Sequence, residues 1–176
     1  MPSIEAQVHD ALSALLGLPI RFVARAGSMG RVGFGRIEAR ASPKDGHPVD
    51  VPEYSLHLQC AWRVARASEV LFGGVDWLYP ADEDADWDAF DPDRDESRLD
   101  SNSSRWLRSL PKPPKVTAVT ADSLGGFVLS LDDGSSLSAY PDSSLRGEHS
   151  EHWRLFPGLD DSPPHFVVSG YGIDSD

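Results

Sequence analysis

A chain of 176 residues with 16 basic and 28 acidic side chains has a formal net charge of −12, which repels phosphate backbones and speaks against direct nucleic-acid binding. Its 40% apolar content suits a buried core, its one cysteine excludes an internal disulfide, and no run reaches the roughly 18 apolar residues of a membrane span. Fourteen prolines and fifteen glycines imply short elements and many turns.

Residues 3–16 read as a helix with Ser3 as N-cap, because Ile4, Val8, Ala11, Leu12, Leu15 and Leu16 recur at helical spacing. Gly17 and Pro19 end it, and its apolar face should pack on a sheet or on another protein. Glu5, His9 and Asp10 interrupt the first apolar stretch, so a signal peptide is not expected and a cytoplasmic location is.

The period then changes to two. Residues 19–26 and 32–41 predict two strands joined around Gly27 to Gly30. Gly30, Gly33 and Gly35 follow neither the dinucleotide nor the phosphate-loop order and fit a twisted or bulged hairpin. Pro43, Gly46, Pro48 and Pro52 mark a turn region.

Residues 54–64 carry the strongest strand signal. Tyr54, Leu56, Leu58, Cys60, Trp62 and Val64 form the apolar set, which makes Cys60 a packing residue rather than a nucleophile. His57, Gln59 and Arg63 lie on the wetter face and are candidates for a polar site or interface stripe; a half-exposed sheet gives the same pattern. Residues 69–72 predict the next strand, returning through Gly73 and Gly74 to Asp76, Trp77 and Leu78.

Residues 81–104 show no periodicity and read as a solvated acidic loop or insertion, mobile or partly disordered. The stretch from Asp82 to Asp100 holds ten acidic and two basic residues, so it must face water or something positive. Trp87 and Phe90 are unusual for pure disorder and suggest that part of it docks. Asp91, Asp93 and Asp95 open like a calcium loop, but Glu96 and Asn102 stand where that loop needs Gly and Glu.

Residues 105–110 predict a short helix before a proline-rich turn, within a stretch (101–115) that has four basic and no acidic residues. Residues 115–121, 126–131 and 136–140 predict strands, the last two joined by Asp132, Asp133 and Gly134 as a tight hairpin turn. Residues 148–156 are ambiguous between helix and strand, and 165–169 predict a final strand. His149 and His152, flanked by Glu148 and Glu151, would present two metal ligands on one face only if helical; His165 reads as a strand-start residue. Neither HExxH nor a paired-cysteine motif is present, so no metal or cofactor is expected. Trp62 and Trp77 fit a core, whereas Trp87, Trp106 and Trp153 sit near charge as possible interface anchors.

The phrases LHLQCAWRV (56–64), FGGVDWL (72–78), LSLDDGSSLSAYPDSS (129–144), EHWRLF (151–156) and PHFVVSG (164–170) resemble a group of small uncharacterised bacterial proteins. These are similar in size and style to immunity proteins of bacterial toxin systems, and the resemblance implies a fold but no catalytic residue. Ala61 stands where the relatives tend to have Pro, and the acidic loop is not shared.

The expected fold is α+β over residues 1–176 as one domain: an N-terminal helix packed on mainly antiparallel β-sheet, seven to nine strands, and a long acidic loop in the middle. The expected function is non-enzymatic binding of a basic protein partner, a toxin-neutralising immunity protein being the sharpest form. Asp84, Asp86, Trp87, Asp88, Phe90, Asp91, Asp93 and Asp95, with His57, Gln59 and Arg63, would carry it. The alternatives are a small hydrolase or metal-dependent enzyme using His149 and His152, and a structural subunit whose N-terminal helix docks into an assembly.

Overall fold

Ser3 does start the first helix: its hydroxyl accepts a hydrogen bond from the Ala6 N–H at 3.2 Å, satisfying a donor that the helix cannot. Helix α1 (Ile4–Leu12) then tightens into a 3-10 turn (Ser13–Leu15), and Val8, Leu12 and Leu15 are fully buried. The structure is a computed structural model in which residues 2–147, 149–160 and 164–175 are described.

Among the described residues eleven strands follow, more than the period-two segments alone suggest, and all pair antiparallel. They are β1 (Ile20–Ala26), β2 (Met29–Ala41), β3 (Pro48–Leu58), β4 (Ala61–Arg66), β5 (Glu69–Gly73), β6 (Val116–Ala121), β7 (Phe127–Leu131), β8 (Ser135–Tyr140), β9 (Glu151–Pro157), β10 (Phe166–Ser169) and β11 (Gly172–Ser175). One sheet has the order β1-β2-β3-β9-β10-β11 and the other β5-β4-β8-β7-β6. The fold is therefore α+β, with helix packed on antiparallel sheet: α1 lies on β6, and a second helix, α2 (Arg98–Ser109), touches β1 of one sheet and β5 of the other.

Three expectations are corrected. Pro48 and Pro52 belong to strand β3 rather than to a turn; Pro52 pairs with Ile37 at the edge of an irregularity of β2 between Phe34 and Ile37, the kind of place in a sheet where Pro is tolerated. The 54–64 segment is two strands. The chain bends at Gln59 and Cys60, whose N–H groups both donate to the His152 carbonyl at 2.8 and 3.1 Å, and β4 continues in the other sheet. Residues 98–104 are helical, not loop. Ser97 caps α2 by accepting from the Asp100 N–H, while Asp100 accepts from the Ser97 N–H in return.

One hydrophobic cluster joins both sheets and both helices, including Leu12, Phe34, Leu58, Val64, Leu99, Phe127 and Trp153. Burial of each such side chain stabilises the fold by about 1.5–3 kcal/mol. Trp106 and Trp153, two of the three candidates for interface anchors, are core residues; the Trp153 indole N–H is satisfied by the Gly125 carbonyl at 2.8 Å. Among the described residues no helix is long and apolar enough to cross a membrane.

Candidate binding site

The bend at Gln59 and Cys60 opens a cleft of about 510 Å³. Its floor is Trp62, held between two glycines: a Cβ on Gly30 or on Gly74 would fall 2.7 Å from indole atoms, so any side chain there would displace the ring. One wall is Gln59, Cys60, Arg63 and Tyr140, with the Arg63 guanidinium 5.5 Å from the Tyr140 ring centre. The other wall is the 3-10 turn Gly74–Leu78, which follows β5 and brings Val75, Asp76 and Trp77 to the cleft. Asp76 fixes this turn by accepting from the Gly73 N–H at 2.9 Å.

The turn leads straight into the acidic segment. Pro80 and Ser97 form an isolated bridge, the Arg98 N–H donates to the Tyr79 carbonyl and the Ala81 N–H to that of Glu96. These bonds close a loop at its neck. Inside it, Asp82, Asp86 and Asp91 each accept from the N–H two residues on, at 3.0, 3.1 and 3.0 Å. A carboxylate that caps its own turn explains why Asp recurs at these positions. The loop is thus a chain of defined turns, where the composition suggested mobility. Asp84, Asp86, Asp88, Asp93 and Asp95 are exposed, while Asp91 and Phe90 are half-buried. Trp87 is 58% exposed and rests on Tyr79, with ring centres 5.5 Å apart.

The structure brings Gln59 and Arg63 together in the cleft but not His57. His57 lies on the solvent side of the first sheet, in register with Arg31 on one strand and Arg154 on the other, its ring edge-on to Phe156 at 4.9 Å. Burial, then the two arginine charges, lowers its pKa to about 4. Gln59 donates to Glu151 at 2.9 Å, and Glu151 pairs with Arg154. Burial pushes the Glu151 carboxyl up, but the Arg154 pairing outweighs it and holds the group below the usual range.

Cys60 is half-buried at the cleft wall rather than inside the core; burial, then the nearby Asp142, pushes its thiol up to about 12. Such a thiol is not a nucleophile at neutral pH. No histidine lines this cleft. His149 and His152 do not share a helix face, because the segment is a turn followed by β9; His149 is exposed, His152 is buried, and Glu148 lies outside the described residues. Among the described residues no three His, Cys, Asp or Glu side chains stand close enough to hold a metal ion. Tyr79, Val75 and Tyr140 escaped the reading of the residues. Only Val75 and Tyr79, flanking Trp77 in a segment read as the return from a strand, carried any hint.

The arrangement provides aromatic and apolar surface in the cleft and dense exposed carboxylate in the loop that follows its turn. Comparison with protein-family models, with curated proteins and with solved structures gave no match.

Proposed function

We propose that this chain is a non-enzymatic binding protein for a basic protein partner, acting in the cytoplasm, with toxin neutralisation as the sharpest form of that role. The observation that carries the reading is the placement of Trp87: largely exposed, seated on Tyr79, and surrounded by the carboxylates of its own loop. An exposed tryptophan with a rigid backing is the kind of side chain that anchors interfaces, and the charge around it favours encounter with a cation-rich surface. The cleft whose turn leads into this loop, with Val75 at 60% exposure and Arg63 on Tyr140, offers a second foothold for the same partner.

Co-expression with the product of the adjacent gene tests the proposal, since immunity genes travel with their toxins. The expected result is a stoichiometric complex with a basic protein, whose dissociation quickens by about tenfold or more in Trp87→Ala. A chain that elutes alone from this co-expression, or a complex indifferent to Trp87→Ala, would count against it.

A further inference from the structure

A second groove, of about 370 Å³, runs on the other side of Val70, between β5 and α2, and its chemistry is opposite to that of the acidic loop. We propose that it binds an extended acidic peptide, which adds as a strand to the outer edge of β5 and places its carboxylates on Arg98 and Arg105. This inference is independent of the function proposed above.

The backbone supplies the first half. β5 ends its sheet, so among the described residues no strand pairs with its outer edge. β5 carries two edge-blunting devices, Glu69 and a bulge at Leu71, but neither Lys nor Pro, and Val70 is 57% exposed upon it. The Gly73 N–H is already taken by Asp76, so the edge on offer runs from Glu69 to Phe72. An edge facing a helix across a groove is the geometry in which peptides bind by strand addition: main-chain bonds give affinity, and side chains along the helix give selectivity.

The side chains of α2 supply the second half. Arg98, Asn102 and Arg105 line the groove at spacings of four and three residues, hence on one face of the helix. From Arg98 to Arg105 the helix rises about 10 Å, the length of about three residues of extended strand. Arg66 adds a third guanidinium from β4.

Two of these arginines already hold carboxylates of the chain. Arg98 donates to Glu83 at 2.8 Å and Arg66 to Asp133 at 2.6 Å. Arg105 has only neutral partners, Asn102 at 3.1 Å and Ser101 at 3.4 Å. The Arg66 Nε is shielded from solvent with no hydrogen-bond partner. Of these three arginines only Arg105 is both exposed and without a carboxylate, against a single acid of the groove's own lining, Glu69. An incoming carboxylate on Arg98 must displace Glu83, so the base of the acidic loop competes with the peptide.

The probe is a blocked, fluorescein-labelled peptide of alternating valine and glutamate, titrated into the full chain by anisotropy at low salt. Saturable binding is expected, weakened about tenfold in Arg105→Ala and strengthened in Glu83→Gln. Arg105 is exposed and holds no carboxylate, so thermal melting of Arg105→Ala should match that of the parent. The same peptide N-methylated at alternate amides should not bind, because strand addition needs its N–H groups. Absence of saturable binding, equal binding by the N-methylated peptide, indifference to Arg105→Ala, or displacement by equimolar inorganic phosphate would each overturn the proposal; the last would mark a simple anion site.

Discussion

Single residues in this fold show how surroundings decide chemistry. Cys60 has the position of a cleft residue but a thiol whose pKa burial and Asp142 raise to about 12. A water-soluble maleimide at pH 8 should therefore label the native protein slowly and the urea-unfolded protein fast; comparable rates would place the thiol in a different environment. Cys60→Ser should cost about 1 kcal/mol, from a hydroxyl set against apolar neighbours. His57 gives a pH signature with a definite sign. Its folded pKa, about 4, lies below the ordinary 6.5, so between these values the unfolded chain binds the proton and the folded one does not. Stability from this site is unaffected by pH above about 7 and falls as pH drops from 6.5 to 4, by about 1–2 kcal/mol after discounting for solvent screening. Glu151 opposes the shift and His165 adds to it, but burial and Arg31 dominate. Urea midpoints of the parent and His57→Gln should diverge below pH 6.5 and run parallel above 7; parallel curves throughout would mean that His57 protonates freely in the fold.

Elements show what a sequence conveys and what it conceals. Most of the buried set of the 54–64 segment was legible, because alternation survives the bend: Leu56, Leu58, Trp62 and Val64 are buried, whereas Tyr54 and Cys60 are half-buried and Ser55, from the wetter set, is buried. The change of sheet was not, since a period of two is blind to a corner that keeps parity. Helix α2 was legible in principle. Ser97 and Asp100 form a capping box, and Leu99, Ser103, Trp106 and Leu110 recur at helical spacing. Ser103 hid the pattern: a small polar residue occupies the buried face where the helix approaches the Val23 carbonyl of β1. The carboxylates upstream made the whole stretch resemble a loop. The acidic half of the candidate site could be read because its residues are contiguous. The cleft could not, because Ser28, Trp62, Val75 and Tyr140 meet only through sheet topology. Ser97 tests the element most directly. It donates to Asp100 at 2.7 Å, and Asp100 also receives Arg25 at 3.0 Å. Burial pushes the Asp100 carboxyl up, but these bonds hold it below its usual range. Ser97→Ala should lower stability by about 1–2 kcal/mol and raise amide exchange at Arg98, whose N–H closes the loop neck on Tyr79. An unchanged urea midpoint would mean that packing of Leu99 and Trp106 alone positions α2.

At the scale of the whole molecule the acidic loop follows the cleft turn in the chain, and its Glu83 reaches Arg98 of the arginine groove. Exposed charge of one sign acts over about one Debye length, roughly 8 Å at physiological salt, so the loop should govern encounter rather than the final fit. Replacing Asp84, Asp86, Asp88, Asp91, Asp93 and Asp95 by Asn separates these roles cleanly. Asn retains a side-chain carbonyl, so the turns capped by Asp86 and Asp91 keep an acceptor for the N–H two residues on. The surface Asp91–Arg94 pair, at 3.4 Å with Arg94 exposed, contributes little, and removing like charges relieves repulsion. The melting temperature should stay level or rise slightly. Association with a basic partner should slow by about tenfold or more at low salt, with the difference shrinking as salt increases. Dissociation should change less, because Trp87 keeps its seat on Tyr79 and the short-range contacts remain. Association rates against ionic strength for the parent and the six-fold variant decide the point. Equal rates at low salt would reduce the loop to a solubility device and leave Trp87 and the cleft to account for any partner on their own.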